Sequence, residues 1–345
     1  MNKFARIPMK SRTTRAAIAA LVLGLSTSGA TFAEVVAWDM PNEYGETSVS
    51  GEADKIFAER LAANSDGRII VTNHFGGSLG YKSKDHWAAV EDNAVPIAST
   101  YTGVFTGFDP IFLLNNMPFM ATNPTQSKAL IDAARPYYAA AFAKGNQILL
   151  LTEPWSPVGI WSKRPIMSGS DMQGLKIRTY DKNGTITLQN IGAAAIQMSW
   201  ADVVPALSTN AIEAVLTSEE GGLSANFQEF LDHYHYVNFT MGSNMVHMNA
   251  DVFKDLPEDL QGIVLETARE VEDELWSRAQ DRIDLNVKRL ADANVTAITE
   301  VPASFIEELK SAGQQAIDEW RALVGDAKAD EILAAYSAQL DLVSN

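Results

Sequence analysis

The residue best placed to do chemistry on a small molecule is an arginine at a strand end. Arg178 lies near the end of the strand-like run GLKIRTY (174–180). In open α/β sheets, ligands sit beyond the carboxyl ends of strands. A guanidinium offers a planar fork that grips a carboxylate through two parallel bonds. Inside a chain this acidic, an arginine needs an anionic partner, either a ligand or an internal carboxylate. Trp155 and Trp200 also stand where strand-like runs meet loops. Each serves either as core filler or as an apolar wall against a ligand skeleton. Glu219-Glu220 precedes Gly221-Gly222 and reads as a solvated loop. The sharper alternative is that this loop lines a cleft and one Glu accepts ligand hydroxyls. His233 and His235 share a face if extended, but only Asp232 stands by as a third metal ligand. Exposed sheet or loop histidines are therefore favoured over a metal site. His74, His86 and His247 are isolated and read as structural.

Other chemistries are absent from the sequence. There is no Gly-x-x-x-x-Gly-Lys-[Ser/Thr], Gly-x-Gly-x-x-Gly, Gly-x-Ser-x-Gly or His-Glu-x-x-His. Gly76-Gly77-Ser78-Leu79-Gly80 lacks the following lysine and reads as a turn. With no Cys among 345 residues, disulfide scaffolds, thiolate metal sites and cysteine nucleophiles are excluded. A net charge of −16 disfavours nucleic acid. The length suggests two domains, at roughly 100–200 residues each.

Residues 1–33 are expected to be an export signal rather than part of the fold. Lys3, Arg6, Lys10, Arg12 and Arg15 precede an apolar run of ten at 16–25, and STSGATFA ends in small residues. Cleavage is expected after Ala33, with Thr31 and Ala33 at the small-residue positions. Removing five basic and no acidic residues takes the charge from −16 to −21. The apolar run falls short of the roughly 20 residues that span a bilayer, and no later run reaches that length. The product is expected to be a soluble periplasmic protein.

Elements that must position these residues follow from periodicity. Strand-like runs at 35–40, 68–75, 96–105 and 147–154 alternate with helical ones at 52–63, 85–92 and 125–142; Pro136 is expected to kink or split the last. The alternation restarts with strands at 174–180, 194–199 and 212–217, and helices at 184–192, 201–209 and 227–232. Longer strands are expected at 234–242 and 244–253. This is the rhythm of a mainly parallel sheet flanked by helices, written twice, so two lobes with a cleft between them are expected. From Leu260 to Leu290 an apolar stripe predicts about 30 helical residues, roughly 45 Å. It reads as one spine helix across both lobes, or as two helices broken near Asp281–Asp284. A strand at 295–301 and helices at 302–320 and 326–342 close the chain.

In order along the chain, several stretches resemble the solute-binding proteins of tripartite ATP-independent periplasmic (TRAP) transporters, the DctP type. They are AERLAANSDGRIIVTNHFGGSLG (58–80), LLNNMPFM (113–120), WSKRPIMSGSDMQGLKIRTY (161–180), IGAAAIQMSWADVVPALSTNAIEAV (191–215) and NADVFKDLPEDLQ (249–261). Singly each is weak; together and in order they are specific, and the resemblance extends over essentially the whole chain after the signal. The resemblance implies a two-lobed α/β periplasmic binding protein (type II-like), each lobe a sheet flanked by helices, with a long helix spanning both. Lobe I would comprise 34–157 and 247–289, and lobe II 158–246 and 290–345. Such a protein binds an organic acid and hands it to the membrane permease subunits, without nucleic acid, cofactor or catalytic residue.

The family's carboxylate-binding Arg falls on Arg178, its motif aromatic on Trp200, and later polar positions on Thr217, Ser218 and Asn244. Trp155, Tyr101 and Glu219 complete the candidate ligand site. Two departures bear on the ligand. Where many dicarboxylate binders carry a second Arg, this chain has Pro157, which favours a monocarboxylate. Where metal-dependent keto-acid binders carry Glu–Trp, this chain has Leu216-Thr217, which argues against a metal. An exported enzyme acting on a small acid, or the receptor of an ATP-driven importer, stands as the alternative.

Overall fold

The structure, a computed structural model, describes residues 35–344. The expected signal at 1–33 lies outside the described residues. Eleven strands form three sheets. The first pairs β1 (Val36–Pro41) and β2 (Ile69–His74) in parallel. The second has the order β3-β10-β4, with β3 Ile97–Tyr101, β4 Gln147–Pro154 and β10 Ser243–Asn249. The third has the order β11-β9-β5-β8-β6-β7, with β5 Val158–Ser162, β6 Lys176–Thr179, β7 Ala194–Gln197, β8 Ala214–Ser218, β9 His233–His235 and β11 Thr296–Ile298.

The helices are α1 (Val49–Asn64), α2 (His86–Glu91), α3 (Pro124–Lys144), α4 (Lys182–Asn190), α5 (Val203–Ser208) and α6 (Glu219–Ser224). They continue with α7 (Ala250–Lys254), α8 (Glu258–Ser277), α9 (Ala279–Asp292), α10 (Ala303–Val324) and α11 (Asp326–Ser344).

Capping residues decide where strands stop and therefore where site residues stand. Asp181 accepts from Gly184 N at 2.8 Å and starts α4 directly after β6, which fixes Arg178 at a strand end. Ser218 accepts from Gly221 N at 3.0 Å and starts α6 directly after β8. Each hydroxyl or carboxylate satisfies an N–H that the first helical turn leaves unpaired.

The sheets are not mainly parallel. β10 runs antiparallel to both β3 and β4, and β5 antiparallel to both β8 and β9. These are the strands at which the chain passes from one sheet to the other, so they enter from the opposite end. The two passages, 155–157 and 236–242, run side by side. Trp155 N donates to Gly242 O (3.1 Å), Val158 N to Thr240 O (2.7 Å) and Phe239 N to Val158 O (2.8 Å). Hence the strand expected over 234–242 shrinks to three residues. The one expected over 244–253 ends at Asn249, whose side chain caps α7 by accepting from Asp251 N and Val252 N. The helix expected at 227–232 is a single 3₁₀ turn, Phe227–Glu229.

The expected spine is two helices meeting at Arg278, earlier than the alternative break near Asp281–Asp284. The buried stripe changes partners there. Leu260, Val264, Ala268 and Val271 of α8 join the core of Trp38, Phe57 and Leu151. Leu290 of α9 joins the core of Trp161 and Tyr234. A straight helix cannot face both. Pro136 does not split α3: Leu130, Ala133 and Ala134 before it and Tyr138, Ala141 and Phe142 after it share one core. That burial outweighs the roughly 3 kcal/mol cost of an interior proline.

Gly159 on β5 is required by crowding. A Cβ there would lie 2.3 Å from His235 O and 2.5 Å from the Tyr234 hydroxyl. Gly159→Ala is expected to cost about 2 kcal/mol by overpacking, read as a lower midpoint in urea; an unchanged midpoint contradicts this.

Candidate functional site

Arg178, at the end of β6, is 3% exposed. Its Nε donates to Met198 O at 3.0 Å, and its guanidinium carbon lies 5.5 Å from the Trp200 ring centroid. Among the described residues no carboxylate forms an ion pair with it. Burial lowers its pKa, because the charged form has lost its water. It lines a small cavity together with Tyr44, Tyr101, Trp155, Val158, Tyr180, Thr217 and Ser218. A buried cation without an anion is costly, and an added carboxylate relieves that cost.

Aromatic rings supply the walls. Tyr44 packs on Trp155 (centroids 4.6 Å) and on Trp200 (5.2 Å). Tyr101 meets Tyr180 edge to face at 5.4 Å. Trp200, Glu43, Ser83, Lys84 and Ser199 form the mouth, which shares Arg178, Tyr44, Tyr101 and Tyr180 with the cavity. Thr217 is half-buried on the wall. The Ser218 hydroxyl accepts from Gly221 N, which leaves its own proton to donate.

The structure thus gathers Arg178, Trp155, Trp200, Tyr101, Thr217 and Ser218 around one space. It sets Asn244 and Glu219 behind it. Asn244 is fully buried; its Oδ1 accepts from Trp155 Nε1 (2.8 Å) and its Nδ2 donates to Ser99 Oγ (3.0 Å). It holds the wall rather than facing the cavity. Behind Ser99 lies a buried acid pair. Ser99 Oγ donates to Glu153 Oε2 (2.9 Å), and Asn42 Nδ2 donates to Asp54 Oδ2 (2.7 Å). Burial, then the neighbouring acid, pushes Glu153 well up; burial pushes Asp54 up to about 7.

Glu219 and Glu220 are not a solvated loop. Both are buried at the start of α6. Glu219 accepts from Tyr234 Oη (3.1 Å) and Asn286 Nδ2 (3.4 Å), and burial raises its pKa to about 7. Burial also pushes Glu220 upward, but Arg282 more than offsets it with a fork of two 2.8 Å bonds, helped by Arg289; the net shift is downward. Arg282 also holds Glu52 of α1 at 3.0 Å. The short helix survives its glycines because they make room: a Cβ on Gly222 would lie 2.2 Å from Trp161.

Three of the histidines, His86, His235 and His247, are buried and structural rather than exposed. His235 is buried, with Nδ1 on Ile160 O and Nε2 accepting from Ile166 N. His86 and His247 share the Thr100 hydroxyl. Among the described residues no group of His, Asp or Glu is placed to hold a metal ion.

Sequence reasoning missed Tyr44, Tyr180 and Glu43. Tyr180 is two residues past Arg178, hence on the same side of an extended chain. Glu43 and Tyr44 follow the end of β1, where the strand-end rule also applies.

This mixed α/β frame is shared with the two-lobed TRAP periplasmic solute receptors among the solved structures. The chain belongs to the bacterial extracellular solute-binding protein family 7 (DctP), which residues 42–322 match. It is 24% identical over 269 residues to the 2,3-diketo-L-gulonate-binding periplasmic protein YiaO of Escherichia coli K12, covering 75% of this chain and 80% of that one. Two solved structures share the fold across 88% of this chain. One is a marine-metagenome TRAP solute-binding protein specific for pyroglutamate (TM-score 0.83, 29% identical, 99% of that chain). The other is a Bordetella pertussis extracytoplasmic solute receptor binding pyroglutamic acid (TM-score 0.84, 25% identical, all of that chain).

Proposed function

We propose that this protein is the periplasmic receptor of a TRAP transporter. It captures an organic acid bearing one carboxylate, seats that carboxylate on Arg178, and delivers the loaded receptor to the membrane permease of the same system. The observation carrying this reading is Arg178, buried, without an ion pair among the described residues and lining an aromatic-walled cavity. One fixed cation suits one anion. Pro157, where a second arginine would stand in many dicarboxylate binders, supports the same count. Pyroglutamate and 2,3-diketo-L-gulonate, bound by the relatives, each carry a single carboxylate. The ring of pyroglutamate also matches walls made of Tyr44, Trp155 and Trp200.

The two lobes joined by paired passages close by hinge motion, and a ligand touching both shifts that equilibrium toward the closed form. The permease then reads the lobe arrangement. Against an enzyme stands the way the paired acids behind the cavity are held: Glu219 is turned to Tyr234 and Asn286, and Glu220 is held by two arginines. Neither is presented as a general base. No helix among the described residues is long and apolar enough to cross a membrane.

The test is a thermal-shift panel on residues 34–345, refolded from denaturant to remove carried ligand. Pyroglutamate, lactate, gluconate, succinate and taurine are compared. A ligand at 100 times its Kd adds about 2.7 kcal/mol of stability. Shifts with monocarboxylates, pyroglutamate foremost, are expected. A shift with succinate alone, or with none of the panel, would reject the proposal.

A further inference from the structure

Glu43 is an acid inside the mouth of an anion site. It follows β1 and is 4% exposed. It takes part in no ion pair among the described residues; instead each carboxylate oxygen accepts a backbone N–H. Oε2 accepts from Ser83 N at 2.9 Å, and Oε1 from Ala201 N at 3.0 Å. These donors come from different walls. Ser83 precedes α2, and Ala201 follows the Trp200 ring that packs on Tyr44 and Arg178. Outside it, Lys82 and Asp202 pair at 2.8 Å, but both are exposed and hold little. The buried clasp is Glu43. It stands within electrostatic reach of Arg178 and lines the same mouth.

We propose that Glu43 is the specificity-determining residue that limits the ligand to one negative charge. This rests on the reading of the cavity as a carboxylate site. A ligand seated on Arg178 extends its far end toward Glu43. A carboxylate is acceptor-only, so a second ligand carboxylate meets like charge with no hydrogen bond to offset it. The two backbone donors fix Glu43 and keep it from swinging away. Its remaining lone pairs still accept a ligand N–H or O–H. Lys84 shares the mouth, but it is exposed and its charge is solvated.

Calorimetric titration with pyroglutamate and with succinate tests this on the wild type, Glu43→Gln and Glu43→Asp. The readout is the ratio of the two affinities, which loss of clasping alone would not reverse. Expected is a wild type that prefers pyroglutamate. Glu43→Gln should move the ratio at least tenfold toward succinate, while Glu43→Asp, which keeps the charge, should still reject succinate. A Glu43→Gln ratio equal to that of the wild type overturns the role of Glu43 alone. So does a Glu43→Asp that admits succinate as Glu43→Gln does. A wild type that favours succinate, or that binds neither acid, instead overturns the single-carboxylate reading beneath it. An unfolded Glu43→Gln by circular dichroism, beside a folded Glu43→Asp that admits succinate, also counts against the proposal.

Discussion

Arg178→Met is expected to lose roughly thirtyfold or more in affinity for pyroglutamate, while leaving the empty protein as stable as the wild type, or more so. The two effects differ in sign because Arg178 does opposite things in the two states. In the loaded receptor it is one half of a desolvated ion pair, and removing one partner of such a pair costs about 2–5 kcal/mol. In the empty receptor it is a 3%-exposed cation that forms no ion pair among the described residues, held by one bond to Met198 O and the face of Trp200. A buried charge without an ion-pair partner is costly, so an apolar side chain of similar volume in its place is expected to be neutral or stabilising. Titration calorimetry reads the first effect, and urea denaturation of ligand-free protein the second. A variant destabilised by more than about 2 kcal/mol when empty would make Arg178 a structural residue.

Raising the pH from 4.5 to 8 is expected to cost the ligand-free protein a few kcal/mol of stability, and Asp54→Asn to remove much of that loss. Asp54 is wholly buried and pushed from the usual 3.8 up to about 7, chiefly by burial; Glu153 beside it is raised as well. Between about pH 4 and 7 the folded chain therefore holds a proton that the unfolded chain has released. Stability from that proton is complete below about pH 4 and is lost as pH rises through 7. Glu219, also raised to about 7, adds a parallel component that the substitution leaves in place. Asparagine at 54 mimics the protonated acid: it accepts from Asn42 and donates to Glu153. Urea midpoints at pH 5 and 8 should lie closer together in Asp54→Asn than in the wild type, and the variant should exceed the wild type at pH 8. Equal pH slopes in the two proteins would place the shared proton elsewhere.

The parts of the site that the sequence made legible are those ruled by local chemistry. Arg178 and Trp155 stand at strand ends, and strand ends are visible in β-branched runs stopped by capping residues such as Asp181. Roles fixed by tertiary neighbours were not visible. Nothing local to Glu219-Glu220-Gly221-Gly222 reveals that Trp161 packs on Gly222 or that Arg282 and Arg289 wait 62 and 69 residues on for Glu220. Glu43 carries no motif, because its partners are two backbone N–H groups. The apolar stripe from Leu260 to Leu290 is continuous in sequence although its two halves serve different cores. Strand direction was hidden for the same reason: antiparallel entry of β5 and β10 follows from the crossings, not from composition.

The strand order β3-β10-β4 also sets a timetable for synthesis. β3 and β4 do not pair with each other; the strand between them is Ser243–Asn249. Two-thirds of the chain must be made before that sheet can close, and the intervening residues build most of another sheet first. A nascent chain shorter than this has a gap at the centre of its N-terminal half, and contacts of such long sequence separation form slowly. For the periplasmic receptor proposed above, which would be threaded through a membrane pore as an extended strand, late closure would keep the chain pliable until the far side is reached.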